Sequence, residues 1–135
     1  MEAAPTKVTE LEGTWELLIT LRSCQTGAPL NTFRAMSAFS CGGTVMESRA
    51  SDALPIATFG QGFWRHIGGP LYAAVVKLFR FNHDGSFAGI ERFTHSIALS
   101  DCGNEFNSTA SVQIFDSDDT LVRTGCGTAK ARRLE

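Results

Sequence analysis

Apolar and polar residues alternate along most of this chain, and a seven-residue phrase punctuates the alternation three times. It reads Phe39-Ser40-Cys41-Gly42-Gly43-Thr44-Val45, then Phe81-Asn82-His83-Asp84-Gly85-Ser86-Phe87, then Phe115-Asp116-Ser117-Asp118-Asp119-Thr120-Leu121. An apolar residue, a polar flank, a short loop and a Ser or Thr leading to a second apolar residue predict a hairpin with a three-residue turn. One turn residue must adopt positive φ, which Gly43 and Gly85 do without strain and Asp119 must tolerate. Symmetric pairing sets Phe39 opposite Val45, Phe81 opposite Phe87 and Phe115 opposite Leu121.

Extended outward from these turns, the alternation predicts eight strands at about 12–24, 33–40, 44–50, 61–67, 71–82, 86–99, 105–116 and 120–133. Gly68-Gly69-Pro70 and Asp101-Cys102-Gly103-Asn104 supply further turns, and no segment carries a useful length of helical period. Such a meander removes its exposed edges by closing on itself. The fold class expected is all-β, an eight-stranded antiparallel up-and-down closed barrel, with an interior either filled by side chains or holding one small ligand. Connections alternate between the ends, so 25–32, 50–60 and the turns after 81 and 115 share one end. Only 50–60 is long. Its apolar Leu54-Pro55-Ile56-Ala57-Thr58-Phe59 serves either as a lid over a mouth or as packing against the rim.

A length of 135 residues suits one domain. We assign 1–10 as a flexible N-terminal segment, 11–133 as the barrel and Leu134-Glu135 as a remnant of a cloning vector, which implies that a leader has been removed. With a net charge of −2 and no run of Lys or Arg, neither nucleic acid nor a membrane is an expected partner, and no stretch approaches the ~18 apolar residues of a span. Four cysteines match no zinc spacing and favour an oxidising compartment, periplasmic or secreted, without removing a cytoplasmic one. Barrel closure brings the first strand beside the last, so Cys24–Cys126 is the expected disulfide; Cys41 and Cys102 lie in turns at the opposite end and are left unpaired.

With Cys24 facing Cys126, Leu21 comes beside Ala129, Ile19 beside Ala131, Leu17 beside Arg133, and Trp15 close to Arg133. Gly13-Thr14-Trp15 on the first strand, with an Arg of the last strand over the Trp, resembles the lipocalins and wider calycins. Arg133, or Arg132 if the register slips, takes that part. The likeness covers two short motifs at the chain ends, and the family's Thr-Asp-Tyr motif and C-terminal helix are missing. Ser23 to Pro29 with Thr124-Gly125-Cys126 is also similar to uncharacterised small exported bacterial proteins. The resemblance implies a setting and an architecture, and no activity.

Continuing the 81/87 pair as 79/89, 77/91, 75/93 and 73/95 collects Phe79, Phe81, Phe87, Phe93, Val75 and Ile97 on one face, interrupted by Lys77, Glu91 and His95. A mostly aromatic face is expected to be buried, which makes Lys77–Glu91 an interior ion pair; a solvent-facing pair is the alternative, one residue of register away. Trp64 and His66 fall on the same face. The last strand presents Gly125, Gly127, Ala129 and Ala131 inward, and its neighbour offers Asn107, Thr109, Ser111 and Gln113, with Arg123 opposite Gln113. Met36, Ala38, Met46, Val76, Leu78, Ile90, Val112, Ile114 and Val122 then form an outer apolar stripe, which predicts a homodimer or homotrimer.

The first function this supports is binding of a small, largely apolar ligand in the cavity. Trp64, Phe79, Phe81, Phe87 and Phe93 would stack on it while His66, Gln113, Arg123, Lys77 or Glu91 hold a polar end. The alternative is an isomerase or cyclase of the allene-oxide-cyclase type, without organic cofactor, in which Glu91 or His95 moves a proton and Lys77 sets its charge. A structural exported protein with a filled core is the third. No nucleophile elbow, phosphate loop or dinucleotide fingerprint is present, which removes hydrolase, kinase and dehydrogenase readings. No cofactor or metal is expected. His66 and His95 lack a third ligand because His83 lies in a turn at the other end, a haem would have a lone axial His, and Asp116-Ser117-Asp118-Asp119 lacks the downstream Glu of a calcium loop.

Overall fold

The computed structural model describes residues 10–50 and 56–134, so the N-terminal segment 1–9, part of the 50–60 loop (51–55) and Glu135 lie outside the described residues. The described chain forms β1 (Gly13–Arg22), β2 (Pro29–Phe39), β3 (Thr44–Ala50), the two-residue β4 (Ile56–Ala57), β5 (Gly60–Gly68), β6 (Leu71–Phe81), β7 (Phe87–Leu99), β8 (Glu105–Phe115) and β9 (Leu121–Arg133). All pairings are antiparallel. The eight long strands neighbour one another in chain order, and β9 returns to β1, so the meander closes into an eight-stranded barrel. β4 is an addition. It takes the edge of β6 at Arg80 and Phe81, beyond Lys77 where the pairing with β5 stops.

The three repeated phrases form the predicted turns. Ser40, Asn82 and Asp116 each donate a backbone N–H to the carbonyl four residues on, at 2.9 Å, and Gly43, Gly85 and Asp119 take positive φ at 93°, 87° and 63°. Phe39 faces Val45, Phe81 faces Phe87 and Phe115 faces Leu121. Beyond the first pair, two of the three hairpins depart from symmetry. Arg80 faces Gly89, leaving Ala88 as an extra residue, and Ile114 faces Arg123, leaving Val122 as another. Each is a β-bulge, which reverses the facing of one strand relative to its partner.

These bulges correct the expected inner wall. On β7 the inward residues are those anticipated, Glu91, Phe93, His95 and Ile97, but on β6 they are Tyr72, Ala74, Val76 and Leu78. Lys77 therefore points to solvent opposite Arg92, not to Glu91. Phe79 (53% exposed) and Phe87 (42%) pack edge-on outside the barrel, and Phe81 joins them against Phe87. On β8 the inward set is Phe106, Ser108, Ala110, Val112 and Ile114, so Asn107, Thr109, Ser111 and Gln113 face out and Gln113 lies opposite Thr124. Val76, Leu78, Val112 and Ile114 leave the outer stripe for the core, while Met36, Ala38, Met46 and Val122 remain outside.

Gly89 marks the bulge in β7. Its φ is 139°, and a Cβ there would come within 1.9 Å of the Phe115 carbonyl oxygen. Glycine within a strand pattern is the usual sign of a bulge or of close backbone approach.

The first and last strands meet two residues away from the anticipated register: Trp15 faces Arg133, Leu17 faces Ala131, Ile19 faces Ala129 and Leu21 faces Gly127. Arg22, not Cys24, is opposite Cys126. Cys24 lies in the turn after β1 and reaches back to form a disulfide with Cys126 across 5.3 Å between Cα atoms. Arg133 stacks 4.2 Å above the Trp15 ring and donates to the carbonyls of Gly103, Glu12 and Glu10. Trp15 Nε1 donates to Leu11 O at 2.8 Å. Gly13 is needed there because a Cβ would stand 2.7 Å from an Arg133 guanidinium nitrogen, at a φ of 127°. These contacts close one end of the barrel.

Gly89→Ala is expected to destabilise the protein by about 2 kcal/mol or more in urea unfolding, whereas Gly42→Ala, in open space, changes it by less than about 0.5 kcal/mol. Equal effects at both positions would remove the bulge's structural role.

Candidate functional site

The interior has a filled end and an open end. Trp15, Phe39 and Phe106 pack edge to face, with ring centroids 4.8 Å and 6.2 Å apart, and together with Tyr72, Ile97 and Leu99 they occupy the end beneath Arg133. The opposite end, where the turns 23–28, 82–86 and 116–120 gather, contains a cavity of about 760 Å³. Leu21, Phe33, Phe59, Phe93, Val112 and Ile114 supply its apolar wall. Gly125 leaves room beside Val112, where larger inward residues would fill the barrel.

Charged side chains enter this cavity from opposite walls. Arg49 of β3 reaches across the lumen to Glu91 of β7 at 2.8 Å, and Arg80 Nε lies 3.9 Å from the other oxygen of the same carboxylate. The Arg49 guanidinium is held flat by aromatic faces, 4.6 Å from the Phe93 centroid and 5.7 Å from that of Phe33. Arg123 and Arg22 also line the cavity; Arg22 donates to Thr128 Oγ1 at 2.8 Å and to Gly27 O at 3.0 Å.

One step toward the filled end, Glu47 and His95 form a second cross-lumen pair at 3.6 Å, both nearly inaccessible to solvent. Ser37, opposite Glu47 in the ladder, donates to it at 3.3 Å, and His95 lies stacked with Phe93 at 6.0 Å. The pair borders a void of about 10 Å³ that is shared with Leu17, Phe39 and Val76. The unmatched polar atoms Glu47 Oε2 and His95 Nε2 are buried there, so this layer tolerates polarity only through its internal pairing.

Of the residues anticipated for a site, Glu91, Phe93 and Arg123 meet at the cavity. His95 is inward but lies below Phe93 and does not line the cavity. Trp64 packs at the filled end against Phe39 and Tyr72 and donates Nε1 to Ser40 O at 2.8 Å. His66 is exposed at the end of β5, 2.7 Å from Gly69 O and beside the Tyr72 ring, so neither histidine presents an axial nitrogen to a ligand in the cavity. Lys77, Phe79, Phe81, Phe87 and Gln113 are outside. Cys41 and Cys102 are free thiols on the surface; the Ser100 hydroxyl and the Asn104 backbone lower the pKa of Cys102.

Glu47, Arg49 and Arg80 were missed. Glu47 and Arg49 share the parity of Val45 in a hairpin that carries no bulge, so their inward facing could be read from that turn. Arg80 required knowledge of the bulge. Among the described residues no three His, Cys, Asp or Glu side chains converge on a point that could hold a metal.

No protein-family model and no curated protein matches this chain, so the likeness to calycins rests on the closed barrel and on the Gly13, Trp15 and Arg133 contacts.

Glu47→Leu leaves His95 without its carboxylate and is expected to cost about 3 kcal/mol in chemical denaturation, most of which a compensating His95→Phe restores. A single substitution without effect would show that the pair contributes only shape.

Proposed function

We propose that the protein binds a small, largely apolar molecule in the open end of its barrel. The observation that carries this reading is the cavity of about 760 Å³, with aromatic and aliphatic walls and a few converging charged groups. Sites for small organic ligands have this size and composition, commonly about 300–1,000 Å³. Each Å² of apolar ligand surface removed from water contributes roughly 25 cal/mol, so Phe33, Phe93, Val112 and Ile114 supply affinity and the charges supply orientation.

The isomerase or cyclase reading loses the geometry it relied on. Lys77, which was to set the charge on Glu91 or His95, points to solvent opposite Arg92, Glu91 is ion-paired with Arg49 instead, and His95 faces Glu47 beneath Phe93 and away from the cavity. Binding without turnover is therefore the reading we adopt, in a calycin-like carrier. The Cys24–Cys126 bridge accords with a periplasmic or secreted setting, similar to that of small exported bacterial proteins. Self-association is part of the reading: Met36, Ala38, Met46 and Phe63 form an outward apolar band across β2, β3 and β5. Light scattering at micromolar concentration is expected to give a mass of two or three chains, and a single-chain mass at all concentrations would remove that part.

The binding reading is tested with the neutral dye N-phenyl-1-naphthylamine, whose fluorescence is expected to rise saturably with the protein. Gly125→Leu should abolish the rise without changing the unfolding midpoint by more than a few degrees, because the added side chain enters the cavity next to Val112. A rise that Gly125→Leu leaves intact would place the dye elsewhere and defeat the proposal.

A further inference from the structure

The charges lining the cavity are unbalanced. Among the described residues, Arg22, Arg49, Arg80 and Arg123 stand against the single carboxylate of Glu91, an excess of three positive charges at a site whose remaining described walls are mostly apolar, in a protein whose net charge is −2. The four guanidiniums are not equally engaged. Arg22 is bonded to Thr128 and Gly27, and Arg49 is fixed by Glu91 and two aromatic rings. Arg80 comes no closer than 3.9 Å to Glu91, beyond hydrogen-bond distance, and its side chain is only 15% exposed. Arg123 makes no hydrogen bond or ion pair with any described residue.

Two underused guanidiniums therefore flank Glu91. Arg123 shares a ladder row with Ile114 and Glu91 on adjacent strands, and Arg80 is opposite Gly89, two residues from Glu91 on the mouth side. Arg80 is largely withdrawn from bulk water with few of its five donors satisfied, and Arg123 stands exposed at the mouth beside it, so an incoming anion can engage both by bidentate hydrogen bonding. The described acidic residues at this end do not serve instead. Asp84 and Asp116 turn their carboxylates back onto the backbone of their own turns, and Asp118 and Asp119 are exposed at the turn outside the cavity wall.

We infer that the ligand is an organic anion with an apolar body, its carboxylate or equivalent acid group held by Arg80 and Arg123 while the body lies against Phe33, Phe93, Val112 and Ile114. This rests on the binding reading above. Arg49 is not part of the anion site: its charge is matched by Glu91, and it serves as the platform between Phe33 and Phe93. A cationic ligand would meet three uncompensated positive charges and one carboxylate already engaged.

The test uses decanoate, decan-1-ol and decylamine as competitors of N-phenyl-1-naphthylamine at pH 7.5, so that chain length is held constant and only the head group changes. Decanoate is expected to displace the dye at least about tenfold more tightly than decanol, with decylamine weakest. Raising salt from 50 to 500 mM should weaken decanoate alone. Arg80→Gln and Arg123→Gln should each reduce decanoate affinity about fivefold or more and leave the affinity of the neutral dye unchanged. Decanol binding as well as decanoate, or decylamine binding better, overturns the anion inference while the binding reading survives. Failure of the dye itself to bind overturns both. If the two Arg variants lose the dye together with decanoate, the arginines shape the cavity without selecting charge, and the inference also fails.

Discussion

The bulge at Ala88 governs what this barrel contains. One unpaired residue after the turn at 82–86 converts a symmetric hairpin into one in which β6 and β7 disagree by one position, and the chain's later pairings inherit that choice. With it, β6 presents Tyr72, Ala74, Val76 and Leu78 inward, and β7 presents Glu91, Phe93, His95 and Ile97. Without it, Lys77 would enter the lumen on the same face as Glu91, and the four apolar residues of β6 would be left in water. Val75, Phe79 and Phe81 would turn inward in exchange, so apolar burial decides little, and the several kcal/mol for burying the mid-strand Lys77 charge favours the bulged register. Gly89 permits it by offering no Cβ where the backbone of Phe115 approaches.

The same constraint produces the polar layers. β3 and β7 are separated in the sheet by β5 and β6, yet Glu47 meets His95 and Arg49 meets Glu91 because these side chains cross the lumen. Glu47 and Arg49 are two residues apart on β3, and Glu91 and His95 four apart on β7, so the two pairs lie at successive levels with Phe93 between them. Below lies the dry packing of Trp15, Phe39 and Phe106, which is sealed by Arg133; above lies the cavity. Pairing across the lumen holds opposite walls at a set separation and so helps fix the cavity's width.

Much of the architecture was legible because it depends on local chemistry. Three turns with the same residue logic, the positive φ at Gly43, Gly85 and Asp119, and the alternation of β1, β2, β3 and β9 all follow from residues close in sequence. The facing of β6 and β8 was not legible in the same way. β6 is apolar on both faces, with Phe79 and Phe81 outside and Val76 and Leu78 inside, so alternation could not choose between them, and the bulge that did choose lies in the partner strand. For β8, an apolar even-numbered set was set aside because symmetric continuation from Phe115 and Leu121 demanded it. The site suffered most from this. Lys77, Phe79, Phe81, Phe87 and Gln113 were assigned inward by one misplaced step, while Glu47 and Arg49, on a hairpin with no bulge, were overlooked.

The cavity also explains why charge and apolar area coexist inside a small protein. An arginine on the inner wall of a closed barrel is destabilising unless its donors find partners, and here the filled end supplies none beyond the seal at Arg133. Keeping one end open leaves Arg123 exposed to solvent at the mouth, while Glu91 pairs closely with Arg49, whose side chain is as buried as that of Arg80. The arrangement trades core packing for a set of donors poised beside aromatic walls. Filling the cavity with aliphatic side chains would strengthen the fold by removing that trade, and it is this unfilled, charged end that the proposed binding reading takes as its site.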